Sequence, residues 1–294
     1  MGVSGAYGQY PLHVSGGTTK SLISQNTIRN SLNRCIVLSS TIGATVSSNV
    51  AYNTVGHCYY VDKLSKSNTL SKNFGADTKS ASLLASILDS DDTPATFWTA
   101  NPANFFDDNV AAGSDEAGFW FQIDEDEEST LLGSFSGNVM HSNQGDGLKL
   151  YPNGYLPGSQ ATFENVKSYR NKGYGVILHS CENVQINQGY FADNRIGVSI
   201  RNADGITLSN VKIIGLSDVY GNLAEKLGMS SHCPAYRPMV GLRLHSYTRF
   251  PHVSGSSIDS VTIENVTPET TGGCFGSVPV VMDSIGRYYN DASI

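Results

Sequence analysis

The sequence has few charged residues and no concentrated basic segment. Only 15% of its 294 residues are charged and 39% are apolar, the opposite of a disordered composition, so we expect a packed core. The net charge is -7, and no cluster of five or more Lys and Arg residues occurs. A protein that binds a nucleic-acid backbone needs such a cluster. The sequence therefore argues against nucleic acid, and against an anionic membrane surface, as the partner.

Long apolar runs and metal-binding cysteine motifs are also missing. No apolar run is long enough to cross a bilayer, so no direct membrane span is expected. Residues 1–17 lack the charged and apolar regions of a signal peptide. If the protein is secreted, we expect this chain to be a mature form or a piece of a longer one. The five cysteines form no CxxC and no Cys/His cluster, so a structural zinc site is not expected.

Glycine and small polar residues are abundant instead, and they recur in a repeat. The chain has 30 glycines together with many Asn, Ser and Thr residues, which favour turns and lower helix propensity. Asn side chains at equivalent turns can also stack into a hydrogen-bonded ladder. Each unit reads as a short strand, an Asn turn, a Gly and a second short strand, and the units lie at residues 49–61, 138–148, 165–178 and 188–200.

The spacing of the glycines predicts the fold. Gly147 and Gly175 are 28 residues apart, and Gly175 and Gly197 are 22 apart, which is the length of one solenoid coil. We predict an all-β, right-handed, single-stranded parallel β-helix, a pectate-lyase-like solenoid, that forms one domain over residues 1–294. Its strands are expected from about residue 21 to residue 266. Insertions at about 63–104 and 217–238 interrupt the repeat, and the first is predicted to hold a short helix near residues 80–88.

Two cysteines fall at the same position in successive units. Residues 26–35 align without gaps on residues 49–58, so Cys35 lies over Cys58. Neighbouring strands are roughly 4.8 Å apart, and the two sulfurs are therefore predicted to be buried neighbours. We favour a stack of inward-facing thiols, and a disulfide between the two coils is the alternative.

Several short motifs follow one another in the first half of the chain. In this order they resemble the β-helix region of the fibrocystin-like family, which includes fibrocystin-L, the cell-migration-inducing hyaluronan-binding protein and the cell-surface hyaluronidase. The resemblance covers residues 10–121. It implies an extracellular or cell-surface location and, for some members, hyaluronan binding or cleavage. The motifs are Tyr10-Pro-Leu-His13, Ser31-Leu-Asn-Arg34, residues 49–57, residues 93–98, Asn101-Pro102, residues 111–113 and residues 118–120.

Within that resemblance, His13, His57 and Asp62 are the candidate catalytic residues. A His beside a carboxylate can act as a general acid or base, although for His57 we favour a structural role. Relatives tend to have His-x-His and Glu-Asp-Gly at these places, where this chain has Ser15 and Lys63. Glycosidic hydrolysis usually needs two carboxylates. The sequence therefore predicts that this chain does not cleave hyaluronan efficiently.

Aromatic and basic side chains are the candidate glycan ligands. Exposed aromatic rings can stack on sugar rings, although some of these rings must instead fill the core. An acidic polysaccharide would need a basic groove. The candidate glycan-binding residues are Tyr59, Trp98, Trp120 and Arg34, and the candidate groove residues are Arg34, Arg195, Arg201 and Arg243.

Two acidic runs and one sequon complete the candidates. Asp89, Asp91 and Asp92, and also residues 124–128, offer the oxygen ligands that calcium takes. Neither run has the EF-hand arrangement, so we favour solvated loops, with calcium as the one cofactor left open. Asn265 begins an Asn-Val-Thr sequon, which is glycosylated only in a secretory pathway.

Three functions are compatible with these observations. We favour an extracellular β-helix module that binds glycan or assembles with like subunits without catalysis, because the matched site has lost a His and a carboxylate. The second is a polysaccharide-degrading enzyme, a hyaluronidase-like hydrolase or lyase. The third is a structural subunit of an extracellular filament or coat, since a β-helix offers long regular faces and exposed ends for assembly.

Overall fold

The computed structural model describes residues 2, 6, 8–18, 20–81, 88–218, 239–246, 255–266 and 277–284. They contain 26 β-strands, numbered here in chain order, and two short 3-10 turns, η1 (Asp89–Asp92) and η2 (Glu125–Glu127). All strand pairs are parallel, and the partners lie one coil apart in sequence. The predicted parallel β-helix is confirmed.

One side of the solenoid is a ten-stranded sheet, which we call face A. Each coil contributes one strand to it, so outward-facing residues of successive coils form straight rows. The strands are β1 (Leu12–Thr18), β4 (Ile36–Ile42), β7 (Tyr59–Val61), β10 (Ala95–Thr99), β13 (Ala117–Phe121), β16 (Leu148–Leu150), β19 (Tyr174–His179), β22 (Ile196–Arg201), β24 (Val240–Ser246) and β26 (Val278–Ser284).

The remaining strands form two further sides, faces B and C, which join into one sheet because β23 (Thr207–Ile214) and β25 (Ser257–Glu264) run along both. Face B holds β2 (Leu22–Ser24), β5 (Thr45–Ser47), β8 (Thr69–Ser71), β11 (Phe105–Asp107), β14 (Ser134–Ser136), β17 (Ala161–Glu164) and β20 (Val184–Asn187). Face C holds β3 (Thr27–Ser31), β6 (Val50–Val55), β9 (Phe74–Lys79), β12 (Val110–Ala112), β15 (Val139–His141), β18 (Lys167–Tyr169) and β21 (Tyr190–Ala192).

The interior is filled by apolar side chains that stack from coil to coil. Tyr59 lies 4.5 Å from Phe97, centroid to centroid, and Phe97 lies 4.4 Å from Phe119, with the rings almost parallel. The register explains the stack, because these residues are direct partners in β7, β10 and β13. One apolar cluster runs from Ile28 to Leu242. Burial of this continuous cluster is the main favourable term for the fold.

Buried asparagines satisfy the backbone at the turns, as the repeat predicts. In the longest ladder each Nδ2 donates to the Oδ1 of the next Asn at 2.9–3.1 Å. Each Oδ1 also accepts the backbone N–H of the preceding Asn. This pairing removes the penalty of burying unsatisfied polar groups. The ladder consists of Asn26, Asn49, Asn73, Asn109 and Asn138, and a second one of Asn143, Asn171 and Asn194.

Glycines and cysteines occupy one row where the chain passes from face C to face A. A Cβ at Gly147 would lie 1.9 Å from the Ser168 Oγ and 2.6 Å from the Gly175 carbonyl oxygen, so a side chain does not fit there. Cys35 and Cys58 hold the same row position in earlier coils, one residue before the partners Ile36 and Tyr59.

These two cysteines form a disulfide, with their Cα atoms 4.6 Å apart and both residues fully buried. A separation of one coil lies within the range that a disulfide spans. The prediction of buried neighbours is confirmed. The favoured interpretation as free thiols is wrong. Cys181 is buried and free.

The interruptions of the repeat differ from the prediction. Residues 69–79 form β8 and β9, and β10 begins at Ala95, so the first interruption covers about 80–94 and not 63–104. The predicted helix near residues 80–88 and the second interruption at 217–238 fall largely outside the described residues. The strand ladder extends from Leu12 to Ser284, beyond the predicted limits. Within the described ranges, no helix has the length and hydrophobicity needed to cross a membrane.

Candidate functional site

The outward side of face A carries most of the candidate residues. The parallel register places Val37, Tyr60, Trp98, Trp120, Lys149, Ile177, Ser199 and Arg243 in one row, which we call the outward row. Tyr60, Trp98 and Trp120 are its aromatic members, and Lys149, Ser199 and Arg243 are its polar members, with the buried Ile177 between Lys149 and Ser199. The two halves have different surroundings.

His57 is enclosed beside the first half of this row. It is fully buried, its Nδ1 accepts the Ala95 N–H at 3.0 Å, and its Nε2 lies 3.0 Å from the Ser90 Oγ. Nδ1 is an acceptor, so the proton of the neutral ring resides on Nε2. Burial lowers the pKa of His57 to about 3, against the opposing charge of Asp91. A neutral, enclosed imidazole of this kind cannot reach a substrate.

Asp91 connects the turn that contains it to Arg34 and to the backbone of His57. Its carboxylate pairs with the Arg34 guanidinium at 3.0 Å and accepts the His57 backbone N–H at 3.2 Å. Burial opposes ionisation of Asp91, but the charge of the Arg34 guanidinium and the hydrogen bonds donated by Leu88 and Arg34 hold its pKa below the usual range. Asp91 is only 3% exposed, so the interpretation of this run as a solvated loop is wrong for Asp91.

Arg34 is likewise unavailable to a glycan. It is 2% exposed, and its guanidinium lies 3.8 Å from the centre of the Tyr60 ring as well as against Asp91. Both the charge and the planar face of Arg34 are therefore occupied within the protein. Glycan binding by Arg34 stays a prediction, and the internal contacts of its guanidinium give it no support.

His13 and Asp62 lie apart from His57. The His13 Nε2 is 3.2 Å from the Ser39 Oγ. Burial lowers the pKa of His13, and the charge of Asp62 opposes that shift. Asp62 itself accepts the Ser40 N–H at 3.0 Å and the Ser65 hydroxyl at 2.7 Å. His13 and Asp62 therefore interact with each other, whereas His57 is enclosed with Ser90 and Asp91.

The predicted aromatic platforms are closed. The Tyr60 and Trp98 rings stack at 4.4 Å with planes 2° apart, and Trp98 and Trp120 are strand partners. The two tryptophans are only 5% and 6% exposed. Stacking between coils occupies ring faces, and a sugar needs a free face. Tyr59 points into the core and Tyr60 holds the outward position, so little of the Tyr59, Trp98 and Trp120 rings is accessible. Glycan binding at these three residues stays a prediction.

The second half of the face carries a polar cluster, which we define as Glu116, Asp146, Lys149, Tyr151, Tyr174, His179 and Arg201. The Lys149 Nζ lies 3.2 Å from Glu116 Oε1 and 4.2 Å from the centre of the Trp120 ring. Tyr151 is 38% exposed, and its ring centre lies 5.0 Å from that of His179. This half offers an accessible ring with charged and hydrogen-bonding neighbours.

Asp146 is the buried acid of the polar cluster. It is 6% exposed, and its Oδ1 accepts the Tyr174 N–H at 2.9 Å. Burial raises the pKa of Asp146 to about 6, although Tyr174, Lys149 and Arg201 oppose the shift. Arg201 donates a hydrogen bond to the Tyr174 hydroxyl. Asp146 is therefore poised to change charge in mildly acidic solution.

Of the other predicted groove residues, Arg243 follows Ser199 in the outward row, and Arg195 lies just before β22. Asn265 is exposed at the end of β25 and donates to the Leu216 carbonyl at 3.2 Å. Its sequon partner Thr267 lies outside the described residues. In the part of the chain that the structure describes, no group of three or more His, Cys, Asp or Glu side chains is arranged to hold a metal.

Lys149, Tyr151 and His179 were not predicted, although the sequence contains a signal for them. The aligned glycines Gly147, Gly175 and Gly197 are each followed, two residues later, by a residue of the outward row, and four residues later by Tyr151, His179 and Arg201. Extending the alignment of the three glycines by four residues therefore predicts that Tyr151, His179 and Arg201 are neighbours on face A. The sequence contains no signal that Asp91 contacts Arg34 and His57. The three residues come from different coils, and Asp91 lies in an irregular turn outside the repeat.

Comparisons with known proteins agree with this architecture. Residues 1–148 match the CEMIP beta-helix family, and residues 122–274 match the right handed beta helix region. The chain is 27% identical to the mouse cell migration-inducing and hyaluronan-binding protein over 66% of its length and 20% of the relative's. It is 29% identical to human cell surface hyaluronidase CEMIP2 over 48% of its length and 13% of the relative's.

Mouse fibrocystin-L is 29% identical over 53% of the chain and 4% of the relative's length. The chain thus spans a fifth or less of these relatives. The resemblance deduced from the motifs of residues 10–121 is confirmed. On the family match to residues 1–148 and the coil architecture, the chain belongs to the CEMIP β-helix family.

Proposed function

We propose that the chain is an extracellular β-helix module that binds glycan at the polar cluster of face A and does not itself cleave it. The observation that carries the proposal is Tyr151, which is 38% exposed between Lys149 and His179. An accessible ring with polar neighbours offers both stacking and hydrogen bonding to a sugar. Two relatives are named for hyaluronan binding and for hyaluronidase activity, so hyaluronan is the first ligand to test.

The absence of catalysis is proposed from the state of the family-matched residues. A general acid needs a pKa near the working pH and contact with the substrate. His57 is buried with a pKa of about 3, and Asp62 is held by Ser40 and Ser65. Ser15 and Lys63 further remove a His and a carboxylate from the pattern of the relatives.

The binding test compares two exposed tyrosines. Wild type, Tyr151→Ala and Tyr190→Ala are titrated with a panel of polysaccharides that includes hyaluronan. Tyr190 is a matched control, because it is 37% exposed but lies on face C. We expect Tyr151→Ala to weaken binding roughly tenfold, the loss of about 1.4 kcal/mol, and Tyr190→Ala to bind as wild type. Self-association without binding of any glycan would contradict the proposal and favour the assembly hypothesis.

The catalysis test follows the length of hyaluronan chains. Hyaluronan is incubated with the protein for a long period, with calcium and without, and its size is measured by size-exclusion chromatography. We expect no change in chain length. Depolymerisation that disappears in His57→Gln would overturn the non-catalytic assignment and establish the hyaluronidase-like alternative.

A further inference from the structure

We infer that the polar cluster is a receptor for the carboxylate of an acidic sugar, in which Glu116 occupies Lys149 until the ligand replaces it, and that protonation of Asp146 strengthens binding. The inference rests on the proposed glycan function. It names the ligand class and the residues that select it.

Lys149 is the primary anion-binding group. Its Nζ pairs with Glu116 at 3.2 Å and lies 5.5 Å from the centre of the Tyr151 ring. The Glu116 side chain is 29% exposed and that of Lys149 is 12% exposed. A sugar stacked on Tyr151 can therefore bring its carboxylate to Lys149 as Glu116 moves into solvent. The exchange replaces one charge-assisted hydrogen bond by another of the same kind, so its net cost is small.

Arg201 supplies a cation with an unused donor two coils further along. The residue is half-buried, and its Nε has no hydrogen-bond partner among the described residues. Unpaired buried polar atoms are uncommon and destabilising, and a ligand oxygen would satisfy this one. Two coils correspond to roughly 10 Å along the axis. A ligand that reaches both Lys149 and Arg201 is therefore a chain of sugars and not a single one.

Asp146 sets the net charge of this receptor. The charged groups that face it are Lys149, Glu116 and Arg201. With both carboxylates ionised, the two cations are neutralised within the cluster. Because burial raises the pKa of Asp146 to about 6, the group takes up a proton between about pH 7 and pH 5, which leaves the cations in excess. An anionic ligand must then bind more tightly, and by linkage the bound ligand must raise the pKa of Asp146.

His179 titrates in the same direction and has to be separated from Asp146. Burial and the Arg201 charge lower the pKa of His179, so it gains a positive charge only at more acidic pH. Substituting Asp146 removes one of these two contributions and leaves the other. Asp193 provides a matched control, since burial raises its pKa as well, although its partner is Ser217.

The experiment uses two probes that differ only in the carboxylates, a hyaluronan octasaccharide and its carboxyl-reduced, neutral form. Calorimetric titrations are run at about pH 7.5 and about pH 5, where sugar carboxylates stay largely ionised. We expect the acidic probe to bind roughly three- to tenfold more tightly at the lower pH. The neutral probe should bind at least about tenfold more weakly, with little pH dependence.

The variants assign these effects to residues. Asp146→Asn should bind the acidic probe tightly at both pH values, and Asp193→Asn should keep the wild-type pH profile. Glu116→Gln should tighten binding and Lys149→Met should weaken it. If Asp146→Asn does not fold, the Glu116→Gln and Lys149→Met variants decide whether the cluster binds the carboxylate.

Two outcomes would overturn the inference while glycan binding still stands. One is equal affinity for the acidic and neutral probes. The other is a wild-type pH profile in Asp146→Asn. Failure of both probes and of the polysaccharide panel to bind at all would instead overturn the proposed function, so the two failures are distinguishable.

Discussion

The two halves of face A use the same strand positions for different purposes. From β7 to β13 the outward row is a closed aromatic cluster of Tyr60, Trp98 and Trp120 around the enclosed His57, held at one side by Arg34 and Asp91. From β16 to β22 the equivalent positions are Lys149, Ile177 and Ser199, and the more accessible Tyr151, His179 and Arg201 lie two residues further along. The motifs by which the chain resembles its family lie largely in the closed half. The resemblance therefore marks the architecture, and the proposed ligand site lies beyond most of it.

Ring packing explains where the outward row changes from aromatic to polar residues. The Tyr60 and Trp98 rings stack on each other, and the His57 imidazole lies against both tryptophans, with ring centres 5.3 Å from Trp98 and 5.8 Å from Trp120. Lys149 ends the stack by placing its ammonium 4.2 Å from the centre of the Trp120 ring. A cation over an indole face is stabilised there, and it brings the first charge into the row. The polar cluster begins at that charge.

The largest destabilisation of the closed half is expected when the Arg34 side chain is removed. Arg34→Ala leaves Asp91 buried without its cation, so we expect the free energy of unfolding to fall by about 3–5 kcal/mol. Lys63→Ala is the control, because the Lys63–Asp124 pair is exposed on both sides and should contribute less than about 1 kcal/mol. Urea denaturation measures both. Equal losses would contradict the view of Asp91 and Arg34 as an internal clamp.

Removal of the disulfide should cause the second largest loss of stability. Cys35 and Cys58 are 23 residues apart, and closing a loop of this length stabilises by about 3 kcal/mol. The Cys35→Ala/Cys58→Ala double variant should lose about that amount in denaturant titrations. Adding reductant should destabilise wild type and leave the double variant unchanged. A reductant effect of equal size in both proteins would argue against the bond.

Acidification should act with opposite sign in the two halves. His57 has a folded-state pKa of about 3, below its unfolded value, so its contribution to stability is lost as the pH falls from about 6.5 towards 3. The expected loss is roughly 2 kcal/mol between about pH 7 and pH 5. Asp146 has a raised folded-state pKa of about 6. It therefore contributes stability at low pH that is lost as the pH rises through 6, roughly 1 kcal/mol over the same interval.

Two variants separate these contributions. Compared with wild type, His57→Gln should lose less stability on acidification and Asp146→Asn should lose more. Thermal unfolding measured in steps from about pH 7 to about pH 5 gives the change of stability with pH for wild type, His57→Gln and Asp146→Asn. Identical slopes in all three proteins would show that neither group titrates as its surroundings imply.

The smallest expected effect on stability is at Tyr151. Because its ring is 38% exposed, Tyr151→Ala should change the free energy of unfolding by less than about 1 kcal/mol, although we expect it to weaken glycan binding. Thermal denaturation checks the first expectation and glycan titration the second. A large loss of stability would place Tyr151 with the closed half.

Sequence periodicity predicted the features that repeat from coil to coil. The Asn and Gly positions follow the coil period, and the alignment of Cys35 on Cys58 located the disulfide partners without deciding their oxidation state. Asp91 could not be placed in this way, because it reaches Arg34 across an irregular turn that no repeat relates to other coils. Aromatic exposure also escaped prediction. The sequence shows Trp98 and Trp120 as outward residues, but closure of their faces depends on which side chains stack above and below.

The disulfide between the second and third coils also determines how the solenoid transmits a mechanical load. If the chain is pulled from its N-terminal side, the first coil can peel away as far as Cys35, where the tension passes through the covalent bond to Cys58. The segment between the two cysteines is then bypassed and carries no tension. Arg34 and His57, each next to one of these cysteines, mark the border between the coil that can peel and the coils that stay anchored. The coil between the two cysteines would thus be shielded from the load.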